Sequence, residues 1–211
     1  MTNTRPSESD AIQMARYRRL PLPDTAHTRA YVEMMHEVTA FHDALVAADP
    51  TQEQLAQMTT TLAALRQMLQ GQAVDEQHRI YGRGSMGGSK TQALMPTMTM
   101  DYVDDEQLRA HTVAGNYFAG MNNAMHGGVV SVLFDTVMGR LAMGTQMRIC
   151  RTAYLTTQYR NVTPIGERLE LRAHMESAQG RKRFITGQLW HGDTLCAEAD
   201  ALFIELKPGQ A

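Results

Sequence analysis

Hydrophobic positions recur at steps of three and four through Tyr31, Met34, Met35, Val38, Phe41 and Leu45, and the pattern stops at Asp49 and Pro50. That spacing predicts an amphipathic helix. Thr51 then stands three residues before Gln54 in capping-box spacing, and Leu55, Met58, Leu62, Leu65 and Leu69 mark one face until Gly71. A second helix after a short turn follows, and the two form a hairpin. From Leu94 onward the texture changes to short extended runs. "LMPTMTMDYV" and "QLRAHTVA" predict a strand pair around a turn at Asp104 and Asp105. After one helical segment, "ICRTAYLTTQYRNV", "RLELRAHMESA", "RKRFITGQLW" and "TLCAEADALFIEL" predict four more strands, separated by turns at Pro164 to Gly166, Gly180 and Gly192 to Asp193. One long helix beside about six strands predicts an α+β arrangement, an antiparallel sheet wrapped around the helix.

That helix, beginning at Gly127 and running to about Gln146, carries Asp135 and Arg140 as its sole charged residues and has apolar side chains all around the wheel. It is expected to be buried on nearly all sides. Val129, Val130, Val132 and Val137 are β-branched and weaken its intrinsic propensity, so burial should stabilise it. A carboxylate sunk into such a helix is costly unless something pairs with it or uses it. The segment "MHGGVV" ahead of it supplies a counterpart. A helix N-terminus presents unpaired N–H groups and a positive partial charge, and glycine lets a ligand oxygen approach closely. Gly127 and Gly128 therefore make a candidate oxyanion hole. His126 reads either as a capping or oxyanion-loop residue or as a proton-transfer group, the former favoured. Asp135 lies eight residues beyond Gly127, about 12 Å along the axis at ~1.5 Å per residue. The two groups cannot easily serve one reacting atom within one chain, so joint action predicts a homodimer with its site at the interface.

Composition narrows the alternatives. The formal net charge is -2, and residues 1–80 hold seven Arg and no Lys against ten Asp plus Glu. A helix-turn-helix that grips phosphates is disfavoured, and no nucleic-acid partner is expected. The histidines and the two cysteines, Cys150 and Cys196, lack ligand spacing, so no metal is expected, and both cysteines read as core thiols. With no run of about 18 apolar residues and no leader pattern, no membrane partner and a cytoplasmic location are expected. Residues 1 to about 27 read as a loose lead-in, and "YGRGSMGGSKTQALMPTM" as a glycine-rich linker without a phosphate-loop pattern. No G-x-S-x-G elbow is present, which argues against a serine hydrolase of the α/β type.

The stretch "HGGVVSVLFDTVMG" resembles the signature of the PaaI-type hotdog-fold acyl-CoA thioesterases, in which His-Gly-Gly opens the central helix and an Asp follows nine residues after the His. "TAYLTTQYRNVTPIGERLELRAHM" is similar to that family's strand, Tyr, proline-glycine turn and next strand, and the resemblance covers residues 94 to 206. It implies a hotdog domain over 92–207, preceded by lead-in, helical hairpin and linker over 1–91, assembled as a dimer or a dimer of dimers. It further implies that the Gly127 amide polarises the thioester carbonyl of acyl-CoA and that Asp135 of the facing protomer is general base or nucleophile. Thr152 would help orient the water. Where some members carry an Asn six residues before the His, this chain has Gly120, so Asn123 stands as the candidate for that role. Arg181, Lys182 and Arg183 at a hairpin start are candidates for the phosphates of coenzyme A, with a solvated turn the favoured alternative. No cofactor is implied beyond the coenzyme A of the substrate. The competing readings are a hotdog hydratase acting on enoyl-CoA and a non-catalytic acyl-CoA sensor.

Overall fold

The computed structural model describes residues 23–75, 78–81, 92–207 and 210. Most of the lead-in and the glycine-rich stretch 82–91 lie outside the described residues. Helices α1 (Ala26–Ala47) and α2 (Gln52–Met68) precede strands β1 (Met98–Val103) and β2 (Gln107–Val113). Helix α3 (Gly127–Met143) comes next, then β3 (Cys150–Tyr159), β4 (Arg168–Gln179), β5 (Lys182–His191) and β6 (Thr194–Glu205). Capping boxes open both helices of the hairpin: Thr25 with Thr28 for α1, and Thr51 with Gln54 for α2.

The six strands form one antiparallel sheet in the order β1-β2-β4-β5-β6-β3, and α3 packs on one face of it. Alternation selects that face. Leu169, Leu171 and Ala173 of β4 and Ile185 and Leu189 of β5 are buried, as are Leu108 and Ala110 of β2. Register then makes a trough. Ala173 pairs with Gly187 and Gly187 with Ala199, which puts three of the smallest residues side by side across β4, β5 and β6. A Cβ on Gly187 would lie 2.9 Å from a ring carbon of Phe134 and 3.0 Å from the Met138 sulfur. The missing side chain is what lets α3 sit so close to the sheet.

Helix α3 buries Val130, Leu133, Phe134, Val137, Met138, Leu141 and Ala142. The opposite strip, passing through Gly128, Ser131, Val132, Asp135 and Gly139, is exposed or half-buried. This corrects the expectation of a helix enclosed on nearly all sides. An apolar wheel does not distinguish a helix enclosed by its own chain from one whose second face stands open, and here Asp135 is exposed. The helix ends at Met143, three residues short of the expectation, because Gly144 adopts φ +60°. Asp105, in the β1–β2 turn, accepts hydrogen bonds from the Thr145 N–H at 2.7 Å and from its hydroxyl at 2.9 Å, tying that turn to the end of α3. Those bonds hold its carboxyl below the usual carboxylate range. A depressed carboxyl contributes stability that is present above its unfolded value and lost as the pH falls through its folded one.

Among the described residues, the first helix of the hairpin packs on the segment Asn116–Phe118. The Tyr117 N–H donates to Asp43 Oδ1 at 2.7 Å, and the His42 ring stacks on Tyr117 at 4.3 Å between centroids. Helix α2 has no buried residue. Between the two helices runs an apolar groove of ≈ 880 Å³, lined by Met34, Phe41, Leu45, Met58, Leu62 and Leu65 among others.

Candidate active site

The start of α3 is built by local chemistry. His126 is the N-cap residue, extended at φ -60° and ψ 130°, and its Nδ1 accepts the Gly128 N–H at 3.0 Å. The Val129 N–H donates to the His126 carbonyl at 2.8 Å, and the Val130 N–H reaches the same oxygen at 3.4 Å. The His126 N–H donates to the Phe118 carbonyl at 2.8 Å, so of the four amides at residues 126–129 that the helix leaves without i→i−4 partners, only that of Gly127 has no hydrogen bond among the described residues. Gly128, paired with Gly127 in the sequence-based expectation, has its N–H occupied by the imidazole. His126 serves here as a cap, with Nδ1 as acceptor and its proton therefore elsewhere. Replacing His126 by alanine is expected to lower stability by about 1 kcal/mol through loss of the cap. His126→Asn, a residue that caps well, should recover most of it. Urea unfolding of the three proteins side by side checks this.

Asp135 stands two turns along the open strip of α3, where Thr152 Oγ1 donates to its Oδ1 at 2.7 Å. Arg140 turns instead to the Gly144 carbonyl at 3.3 Å. Thr152 is placed by an irregularity in the β3–β6 pairing between Thr152 and Tyr154. The second carboxylate oxygen is left open to water or ligand on an exposed face.

Asn123 occupies the turn before α3 at φ 60°, next to Asn122 at φ 56°, a left-handed pair that asparagine tolerates better than most residues. Its side chain is exposed. The basic trio divides. Arg183 is buried, with its guanidinium bonded to Glu205 Oε2 at 2.8 Å and to the Gly180 carbonyl at 2.6 Å, so its fork is already committed. Arg181 donates to the Glu205 carbonyl at 2.8 Å. Lys182 is exposed. Leu133, Phe134 and Met138 are fully buried and form core.

Burial pushes the Cys150 thiol up to about 11 and the Cys196 thiol upward as well, so neither is a thiolate near neutral pH. Among the described residues no group of three or more His, Cys, Asp or Glu side chains is placed to hold a metal ion. No helix among them is long and apolar enough to cross a membrane.

One contact was not anticipated from the sequence. The Tyr159 hydroxyl donates to the Gly127 carbonyl at 2.8 Å, and a Cβ on Gly127 would sit 3.0 Å from that hydroxyl. Ser131 Oγ lies 3.1 Å from Thr157 Oγ1 and 3.4 Å from Tyr159 Oη. Tyr159 was visible in the sequence as a strand-end aromatic, but its bond to the helix start depends on the pairing of β3 with β6.

Residues 122–198 match the family model described as the thioesterase superfamily. The acyl-coenzyme A thioesterase THEM4 of Xenopus laevis is 34% identical over 99 residues, which is 44% of this chain and 43% of that protein. Its counterpart in Rattus norvegicus is 30% identical over 96 residues, 44% of this chain and 41% of that protein. The matched stretch thus spans less than half of either relative. The crystal structure of a thioesterase superfamily protein superposes with a TM-score of 0.69 at 26% identity, over 87% of this chain and 97% of that one. A hypothetical thioesterase protein with coenzyme A from Streptococcus pneumoniae, 11% identical over 53% of this chain and 90% of that one, shares the fold at a TM-score of 0.50.

Proposed function

We propose, from the match of residues 122–198 to the thioesterase superfamily model and the likeness to acyl-coenzyme A thioesterases, that this chain hydrolyses the thioester of an acyl-CoA to the free acid and coenzyme A. The observation that carries the reading is Asp135: an exposed carboxylate on the open strip of an apolar helix, held through one oxygen by Thr152. The Gly127 N–H supplies the complementary group. In the reaction, Asp135 takes a proton from water as the water oxygen bonds to the thioester carbon. The carbonyl oxygen becomes an oxyanion facing the Gly127 N–H at the positive end of α3. Collapse of the tetrahedral intermediate breaks the C–S bond and expels the coenzyme A thiolate, which takes up the proton. His126 holds the helix start, and Asn123 borders the approach to it.

Because Gly127 and Asp135 are about 12 Å apart along one helix, two copies of the chain complete the site, each lending one group. Strand β3 supports that assembly. It is a sheet edge, pairs on one side with β6 and is exposed or half-buried along its whole length. A ten-residue strand at the edge of a sheet is a ready surface for pairing with a second copy. We assign residues 92–207 as the hydrolytic domain and leave Lys182 as the member of the basic trio best placed for a phosphate of coenzyme A.

The test is thiol release from short, medium, long and aromatic acyl-CoAs. Turnover of at least one thioester by a homodimer or larger even-numbered assembly supports the reading, and the panel identifies the substrate class. Binding of acyl-CoA without thiol release would replace it with the sensing function.

A further inference from the structure

We propose that Tyr159 is a positioning residue of the hydrolytic site, its hydroxyl fixing the peptide plane that follows the Gly127 Cα and so limiting the backbone rotation on which the aim of the Gly127 N–H depends. This inference rests on the thioesterase reading given above. The physical problem is conformational: two consecutive glycines open α3, and glycine has the widest backbone freedom of any residue. An oxyanion donor, by contrast, is effective only when aimed before the charge develops. Both peptide planes that flank the Gly127 Cα are pinned. The 126–127 plane, which carries the Gly127 N–H, is held through the His126 carbonyl by the Val129 amide at 2.8 Å. The 127–128 plane is held at both ends: its N–H by His126 Nδ1 at 3.0 Å and its carbonyl by Tyr159 Oη at 2.8 Å. With both planes fixed, the glycine between them has no soft torsion left.

Tyr159 can act as a fixed point because its own backbone is held. It pairs with Ala197 at the end of β3, and the next two amides, of Arg160 and Asn161, both donate to the Cys196 carbonyl, at 2.8 and 3.0 Å. Ser131 and Thr157, with hydroxyl oxygens 3.1 Å apart, add a second bridge between the start of the second turn of α3 and β3. The Tyr159 hydroxyl also crowds the place a side chain at residue 127 would take. The Gly127 backbone is not left-handed, and a Cβ there would lie 3.0 Å from the Tyr159 hydroxyl, so an alanine would push that hydroxyl by a few tenths of an ångström.

Tyr159→Phe removes the hydroxyl and keeps the ring. The expected result is a kcat about tenfold lower with KM changed less than twofold, because the lost aim matters when charge develops and little when substrate binds. Amide exchange at Gly127 and Gly128 should accelerate, while the dimer and the overall unfolding midpoint stay near wild type. A lowered midpoint with unchanged kcat would mean a purely structural bond and overturn the proposal. So would loss of the basic limb of the pH–rate profile, which would make Tyr159 a proton donor. An active wild type with an equally active Tyr159→Phe defeats this inference alone. A wild type that releases no thiol from any acyl-CoA defeats the hydrolase reading and this inference together.

Discussion

Asp135→Asn is expected to lower kcat for thioester hydrolysis by about 10²–10⁴-fold, the usual contribution of a positioned general base, equivalent to about 3–5 kcal/mol of transition-state stabilisation. Asparagine retains an oxygen that can accept the Thr152 hydroxyl, which in the wild type lies 2.7 Å from Asp135 Oδ1. It has no basic oxygen for water. Because residue 135 is exposed in the chain, the substitution neither opens a cavity nor strands a buried group. The unfolding midpoint should therefore move little while catalysis collapses. That separation is the diagnostic feature: thiol release, thermal unfolding and sedimentation measured on the same two preparations give rate, stability and assembly together. Retention of more than about a tenth of the wild-type kcat in the variant would remove Asp135 from the chemistry.

Phe134→Ala is expected to have the largest effect on stability, about 3–5 kcal/mol. Phe134 is fully buried on the face of α3 opposite the functional strip and stands over Gly187. Gly187 has no side chain with which to fill the space, and its cross-strand neighbours Ala173 and Ala199 are too short to reach it. Little collapse of the cavity is therefore possible, which places the loss toward the upper end of the range. Against a total stability of about 5–15 kcal/mol for a domain, this is a large fraction. For a chain of 150–250 residues it corresponds to a fall in Tm of roughly 6–20 °C. Urea unfolding at fixed protein concentration checks it, since dissociation of a dimer would otherwise contribute. A loss below about 1 kcal/mol would mean that the trough of small residues repacks.

Much of this architecture is local and was legible in the order of residues. The Thr51–Gln54 capping box, the turns at Gly166, Gly180 and Gly192, and the alternation in β4 and β5 come from interactions within a few positions. Among the described residues, period and turn chemistry therefore located the six strands and the three α-helices to within a few residues, though not the short 3-10 turn Asn116–Phe118. The helix opening at His126 was legible for the same reason, because an N-cap acts on amides two or three positions away. The spacing of Gly127 to Asp135, read with the helical rise, implies two copies of the chain if both groups are to act on one atom.

Contacts between distant segments were different. The trough under Phe134 exists because three strands align Ala173, Gly187 and Ala199 in register, and no pattern within one strand encodes that row. The exposure of Asp135 followed from which side of α3 the sheet covers, where sequence alone suggested enclosure. Arg183, read as a surface cation in a basic turn, became a buried partner of Glu205 from the far end of β6. Tyr159 reached the Gly127 carbonyl from 32 residues away. Local propensities and periodicities determined the elements and placed the catalytic candidates on them; only the pairing register, which decides which distant side chains share a space, determined which of those candidates stand free and which are held.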